Sequence, residues 1–135
     1  ESLEEIDSIL SLYKIDKSEI SHESDLSSAA CFLVTLDKSH RIFTGHFPGT
    51  PVLPGVCTLQ ILKDCLFSLT GESLLFSDIS QCKFTGMVDP CADEKLSVNI
   101  SKKKISESLL LINATVSVTD CDRIILKFKG KCSTL

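Results

Sequence analysis

No apolar run in this 135-residue chain approaches the ~18–20 residues that a membrane helix needs, so a helical membrane span is not expected. Its start carries no apolar signal-peptide segment, and a cytoplasmic setting is the expectation. There is no strong excess of either charge: the net charge is −4, which argues against a nucleic-acid binder. The seven cysteines, Cys31, Cys57, Cys65, Cys82, Cys91, Cys121 and Cys132, form no C-x-x-C pair, so zinc ligation is not expected, nor is any other metal or cofactor. An odd count on mostly apolar segments points to small buried hydrophobes in a reducing compartment rather than to disulfides. Asn99-Ile100-Ser101 and Asn113-Ala114-Thr115 match glycosylation sequons, but both fall in strand-like segments and read as plain strand. The sequence contains no internal repeat, low-complexity segment or second-domain signal, and its length suits one domain with a real core.

Proline is also scarce, and its placement is informative. Of four prolines, Pro48, Pro51 and Pro54 fall within seven residues and Pro90 stands apart. Each fixes its own φ, removes a donor and pushes the residue before it toward extended backbone. Gly45, Gly49 and Gly55 supply turns and close approach. A stiff, irregular connection results, with His46 near its start and an apolar helical segment beginning at Gly55. A helix N-terminus presents free N–H groups to anionic ligands.

The flanking pattern predicts the elements. Ser2-Leu3-Glu4-Glu5 has capping-box form, and Leu3, Ile6, Leu10 and Tyr13 follow at helical spacing, so a short amphipathic helix is predicted over 1–14. Residues 16–27 are polar and read as loop, and 29–36 as a strand. A central helix over 55–69 is apolar around most of its circumference, which suits burial, with Gln60, Lys63, Asp64 and Ser68 as its polar side and Gly71 as its C-terminal cap. Beyond it, Leu96, Val98 and Ile100 alternate with polar residues, as do Leu110, Ile112, Ala114, Val116 and Val118. After a turn at 120–122, Ile124, Leu126, Phe128 and Cys132 alternate with Lys127, Lys129 and Lys131. Period-two alternation of this length predicts half-buried antiparallel strands. The pattern gives an α+β chain, a sheet packed on one helix.

The segment Gly45-His46-Phe47-Pro48-Gly49-Thr50-Pro51-Val52-Leu53-Pro54-Gly55-Val56 resembles the signature of the hot-dog-fold 3-hydroxyacyl-[acyl-carrier-protein] dehydratases. Lys83-Phe84-Thr85-Gly86-Met87-Val88-Asp89-Pro90 resembles that family's later strand motif, and the two segments with the strands after them cover about two-thirds of the chain. The N-terminal third lacks the family's Leu-Pro-His-Arg opening. The resemblance implies a hot-dog fold, an antiparallel sheet wrapped around one long central helix over the single domain 1–135. It implies elimination of water from a 3-hydroxyacyl thioester in fatty-acid or polyketide-like synthesis, with His46 as general base and the Gly55 N–H holding the thioester carbonyl. The family's acid stands fourteen residues after the histidine, and here that position is Gln60; its glutamine one turn later is here Asp64. The acid and the amide are exchanged.

A carboxamide cannot deliver a proton at neutral pH. Asp64 reads as a substitute acid displaced by one turn or, more ordinarily, as a solvent-facing carboxylate paired with a neighbouring lysine. Phe47, Val56 and Phe84 are candidate substrate contacts; Phe43, Phe47, Phe84, Met87 and Val88 are candidate tunnel walls, with plain core the more ordinary role for each of these five. The implied partners are an acyl carrier protein or an acyl-CoA thioester, and a second subunit in a homodimer, an oligomer of dimers or a mixed dimer. In such a dimer the helix face bearing Gln60 would point at the partner subunit's histidine. Lys127, Lys129 and Lys131 form a basic stripe, and Lys102, Lys103 and Lys104 a basic turn; either can steer an acidic carrier protein, though a solvated face is the commoner meaning. His22 and His40 read as surface residues. A non-catalytic acyl-binding subunit and a hot-dog thioesterase are the alternatives to the dehydratase.

Overall fold

The computed structural model describes residues 12–40, 43, 52–72 and 74–134. Six strands and one helix are present among them: β1 (Tyr13–His22), β2 (Ser27–Leu36), α1 (Gly55–Thr70), β3 (Leu74–Phe84), β4 (Lys95–Lys104), β5 (Leu109–Val118) and β6 (Arg123–Thr134). They form one antiparallel sheet in the order β1-β2-β4-β5-β6-β3. The helix lies in the chain between β2 and β3, the strands that flank it in sequence but not in the sheet.

The core is where the alternating rows meet the helix. Ala30, Phe32, Val34 and Leu36 of β2, Leu96, Val98 and Ile100 of β4, and Ile112, Ala114, Val116 and Val118 of β5 are all buried. From α1 they receive Cys57, Ile61, Leu62, Cys65 and Leu66. Fully burying one such aliphatic side chain contributes about 1.5–3 kcal/mol. The helix ends where Gly71 adopts φ 72° and donates its N–H to the Phe67 carbonyl at 2.7 Å, the left-handed cap that glycine accepts without a Cβ clash.

Several expectations need correction. Most of the helix predicted over 1–14 lies outside the described residues, but its end is strand: β1 begins at Tyr13, after the buried Leu12. Residues 16–22, read as loop, continue β1 and pair with β2. The strand was hidden because, from Asp16 on, both of its faces are exposed, so no apolar alternation marks it. A bulge between Ile15 and Lys17 turns Asp16 outward, where it accepts a hydrogen bond from the Thr35 hydroxyl. In β6 Leu126, Phe128 and Cys132 are buried as expected, but Ile125 is buried with them, whereas Ile124 is exposed. A register shift between Val116 and Ser117 pairs Val116 with Leu126 but Ser117 with Ile124, and the extra residue flips the alternation. The same irregularity buries Ser117, expected on the polar face. Lys102, Lys103 and Lys104 end β4 instead of forming the turn. His40 is buried, while His22 is exposed as expected. Helix α1 is buried on one side only, because a single sheet covers only one side; Val56, Lys63, Phe67 and Ser68 stay exposed.

The cysteines divide by the same geometry. Cys57, Cys65 and Cys132 are buried, and burial pushes the Cys65 thiol up to about 12 and the Cys132 thiol to about 11. Cys82, Cys91 and Cys121 are exposed, on an edge strand and in turns, against the expectation of buried hydrophobes. Asn99 and Asn113 sit in β4 and β5, each paired across the ladder with a residue of the other sequon, Asn99 with Thr115 and Asn113 with Ser101.

Edge strand β3 joins the sheet through two register shifts, at Phe76/Asp78 and Ile79/Gln81. The hydroxyls of the two bulged serines, Ser77 and Ser80, donate to the Lys131 and Lys129 carbonyls at 3.2 and 3.1 Å, replacing ladder bonds that the bulges remove. Gly130 permits this approach, since a Cβ there would lie 2.8 Å from the Asp78 carbonyl oxygen. Gly130→Ala is therefore expected to destabilise the fold by about 1–3 kcal/mol, measured by urea unfolding, because backbone must move to admit the methyl. Native protein treated with a thiol reagent at neutral pH should be labelled first at Cys82, Cys91 and Cys121, with Cys57, Cys65 and Cys132 protected until it unfolds, as read by peptide mass mapping.

Candidate active site

The start of α1 is built by three segments. Pro54 is the N-cap, extended at φ −61° and ψ 143°, with no side chain capping the helix. The first N–H groups bonded within the turn are those of Cys57 and Thr58, both to the Pro54 carbonyl, at 3.0 and 3.3 Å. The Gly55 and Val56 N–H groups precede them and point out of the helix end, where the helix dipole is positive. Leu53 donates to the Val88 carbonyl at 2.9 Å, which ties the residues leading into the helix to the segment after β3.

That segment is itself clamped. Thr85 bonds the Ile125 and Ile124 carbonyls through its N–H and its hydroxyl. Arg123 donates to the Met87 carbonyl and to Asp93, both at 2.8 Å, and Asp93 also accepts from the Asp89 N–H. Between the two segments lies a cleft of about 310 Å³, walled by Leu53, Gly55, Thr58, Phe84, Met87 and Val88 among others. The Phe84 ring lies against Gly55, since a Cβ there would be 3.1 Å from its Cζ. Gly55, Phe84, Met87 and Val88 thus line one cleft. Phe43 is buried core, whereas Val56 is 75% exposed and outside this cleft. His46 and Phe47 lie outside the described residues, as does the rest of the loop over 44–51.

Gln60 and Asp64 belong to a different cleft, of about 300 Å³, between α1 and the start of β3, lined also by Lys63, Phe67, Glu72 and Leu75. The reason is helical phase: Gln60 follows Gly55 by five residues, about 140° around the axis and ~7.5 Å along it. One chain therefore does not bring its own Gln60 to its own Gly55. Gln60 Nε2 donates to Asp64 Oδ1 at 3.0 Å, and the Tyr13 hydroxyl donates to Asp64 Oδ2. Asp64 is half-buried and holds these two donors, not the lysine partner expected of it. Burial pushes its carboxyl above the ordinary 3.8, and the two donors, which favour the charged form, do not cancel that. Tyr13 was missed as a site residue. Its signal was assigned to an N-terminal helix, and only strand β1 brings it to α1.

Among the described residues no group of three or more His, Cys, Asp or Glu could hold a metal ion, and no helix is long and apolar enough to cross a membrane.

A six-stranded antiparallel sheet holding one central helix, with a glycine helix start opening on an apolar cleft, defines the α+β hot-dog class. Known proteins agree. The ApeI-like family, described as ApeI dehydratase, matches residues 21–119, and the chain belongs to that family. Over 70 residues it is 37% identical to the 3-hydroxyacyl-[acyl-carrier-protein] dehydratase FabZ of Haemophilus influenzae, a match covering 46% of this chain and 47% of that protein. The chain thus spans about half the length of the first curated relatives it matches. Among solved structures, an uncharacterized protein of Erwinia carotovora superposes with a TM-score of 0.67 at 21% identity, covering 92% of this chain and 96% of its own. The dehydratase heterocomplex ApeI:P of Xenorhabdus doucetiae does so at 0.58 and 22%, covering 89% and 98%. At those identities the superpositions establish the fold.

Because Asp64 carries a raised pKa, the native state holds its proton more tightly than the unfolded chain does. Its contribution to stability is therefore neutral below 3.8, falls as pH rises through the raised value and is flat above it. Asp64→Asn, which does not titrate, should gain stability relative to wild type as pH rises through that window, followed by urea midpoints between about pH 3 and 7.

Proposed function

We propose that this chain acts on 3-hydroxyacyl thioesters as a dehydratase-type hydro-lyase, with its working site assembled between two chains. The observation that carries the reading is the Gly55 helix start opening on the apolar cleft beside Phe84 and Met87, nine residues after His46. His46 removes a proton from the carbon next to the carbonyl. The Gly55 N–H holds the oxygen that becomes enolate-like, and the aligned helix dipole assists it. The C2–C3 double bond forms as the C3–O bond breaks, and the hydroxyl leaves as water with a proton from an acid. Imidazole suits the base because it titrates near neutral pH.

Gln60 cannot supply that proton, and Asp64 is engaged by Tyr13 and Gln60, so the acid comes from a partner chain. The surface supports a partner. β3 is an edge strand whose Leu75, Ile79 and Phe84 are exposed, and Val56 and the 53%-exposed Phe67 add apolar surface on the uncovered face of α1. A second chain placed against β3 and this face meets Gln60 as well. A mixed dimer is favoured over a homodimer because two copies bring two amides and no free acid. The acyl group arrives on a carrier protein or on coenzyme A.

Hydration of an enoyl thioester by the purified chain tests this. The chain alone should work slowly, about 10²–10⁴-fold below an acid-bearing dehydratase, and His46→Ala should abolish what remains. Undiminished activity in His46→Ala, or release of free thiol instead of hydration, would sink the reading. Thioester binding without turnover at any chain length would transfer the chain to the non-catalytic acyl-binding subunit that Gln60 also fits.

A further inference from the structure

We propose that Tyr13 and Asp64 lock the Gln60 carboxamide with Nε2 turned inward and Oε1 outward, so that this chain presents a hydrogen-bond acceptor selective for a substrate hydroxyl. This deepens the thioester reading and rests on it. The argument starts from donors and acceptors. An ionised carboxylate only accepts, so whichever atom of Gln60 meets Asp64 must be the amide nitrogen. That contact is 3.0 Å, within one side of the helix, at the i, i+4 spacing that brings side chains together. Asp64 does not swing away, because its second oxygen is held by the Tyr13 hydroxyl from across the fold. Tyr13 is fixed in turn by the antiparallel pairing of β1 with Leu36 of β2 and by its packing on the core. The chain Tyr13–Asp64–Gln60 runs from the edge of the sheet to the face of α1 that none of the described strands covers. With one Nε2 hydrogen held by Asp64 the amide plane is oriented, and the acceptor Gln60 has left to offer is its carbonyl oxygen.

An outward oxygen accepts and does not donate. It takes the hydrogen of a 3-hydroxyl and leaves that oxygen's lone pairs open to an acid from elsewhere. A saturated acyl chain offers it nothing, and an enoyl chain the same. Asp64 is thus a positioning residue, and the exchange of acid and amide along α1 keeps the carboxylate–amide pair while reversing which member faces out.

The test has a direct arm and a functional one. In the free protein, the side-chain amide of Gln60 is followed by 15N NMR in wild type, Asp64→Ala and Tyr13→Phe. The lock predicts a displaced, slowly exchanging amide pair in wild type that moves to free-glutamine values in Asp64→Ala and partway in Tyr13→Phe. Calorimetry then compares a 3-hydroxyacyl-CoA with the saturated acyl-CoA of equal length. Wild type should prefer the hydroxy form by about tenfold, the worth of one good hydrogen bond, and Asp64→Ala should lose that preference. Finally, Gln60→Glu alone places two carboxylates four apart on one helix, whereas Gln60→Glu with Asp64→Gln restores an outward acid held by an amide. The double variant should hydrate enoyl thioester at least about tenfold faster than the single one, a coupling that independent residues would not show. Unchanged Gln60 amide signals in Asp64→Ala, or equal rates for single and double variants, would overturn the proposal. If neither thioester binds wild type, the acyl reading fails and hydroxyl selection with it, while the amide signals still decide the lock.

Discussion

The rotational setting of α1 governs the rest of the molecule. Ile61, Leu62, Cys65 and Leu66 enter the core formed by β2, β4, β5 and β6, and large-to-small changes at such positions cost about 2–5 kcal/mol. That burial fixes the helix about its axis. Once it is fixed, Gly55 opens toward Phe84 and Val88, while Gln60 and Asp64 point to a different cleft. The separation of the two clefts is thus a consequence of core packing, not of a loop choice. It also explains why one side of an apolar helix stays exposed: the sheet that sets its phase covers only the opposite side.

The two edges of the sheet are managed in contrasting ways. β1 carries Lys14, Asp16, Lys17 and Glu19 along its exposed length and a bulge at Asp16, the features that discourage another strand from pairing. β3 has two bulges of its own, but it exposes Leu75, Ile79 and Phe84, with Asp78 and Lys83 as its only charged residues. Phe76 packs on Phe128 at a ring separation of 4.8 Å, so the strand is firmly seated on its inner side. Exposed apolar residues on an edge strand are a hazard unless they are covered. The uncovered residues of α1, Val56 and Phe67, are apolar as well. These features agree with the proposed working unit of more than one chain, and the exposed apolar residues lie beside the cleft that holds Gln60 and Asp64.

Much of this was legible in the residues. Where one face is buried and the other wet, as in β4 and most of β5, period two announced the strands; Gly71 announced the end of α1 through the backbone conformation it permits. What was hidden had physical causes. β1 past Ile15 has no buried face, so its pattern is that of a loop, and the capping-box spacing upstream suggested helix up to Lys14. The burial of Ile125 in place of Ile124 depends on a bulge, a two-against-one pairing that no single-strand periodicity encodes. The environment of Asp64 was misread for the same reason. Its partner Tyr13 is fifty-one residues away, and only the cross-sheet register of β1 reveals it.

The exchange of carboxylate and amide on α1 can be weighed by what each arrangement requires. A carboxylic acid facing a substrate must be protonated before the leaving group departs, so its pKa must be raised by burial or by a neighbouring charge. Here the carboxyl with a raised pKa is Asp64, but it is turned to Tyr13 and Gln60, and the outward group is an amide that never titrates. The carboxyl stands one turn further along, behind an amide that cannot relay a proton. Such a site retains geometry and hydrogen-bonding shape across the pH range while lacking acid chemistry of its own. On the reading proposed above, a chain built this way holds a thioester for a partner that brings the proton, and the exposed apolar residues of β3 lie on the side that partner would meet.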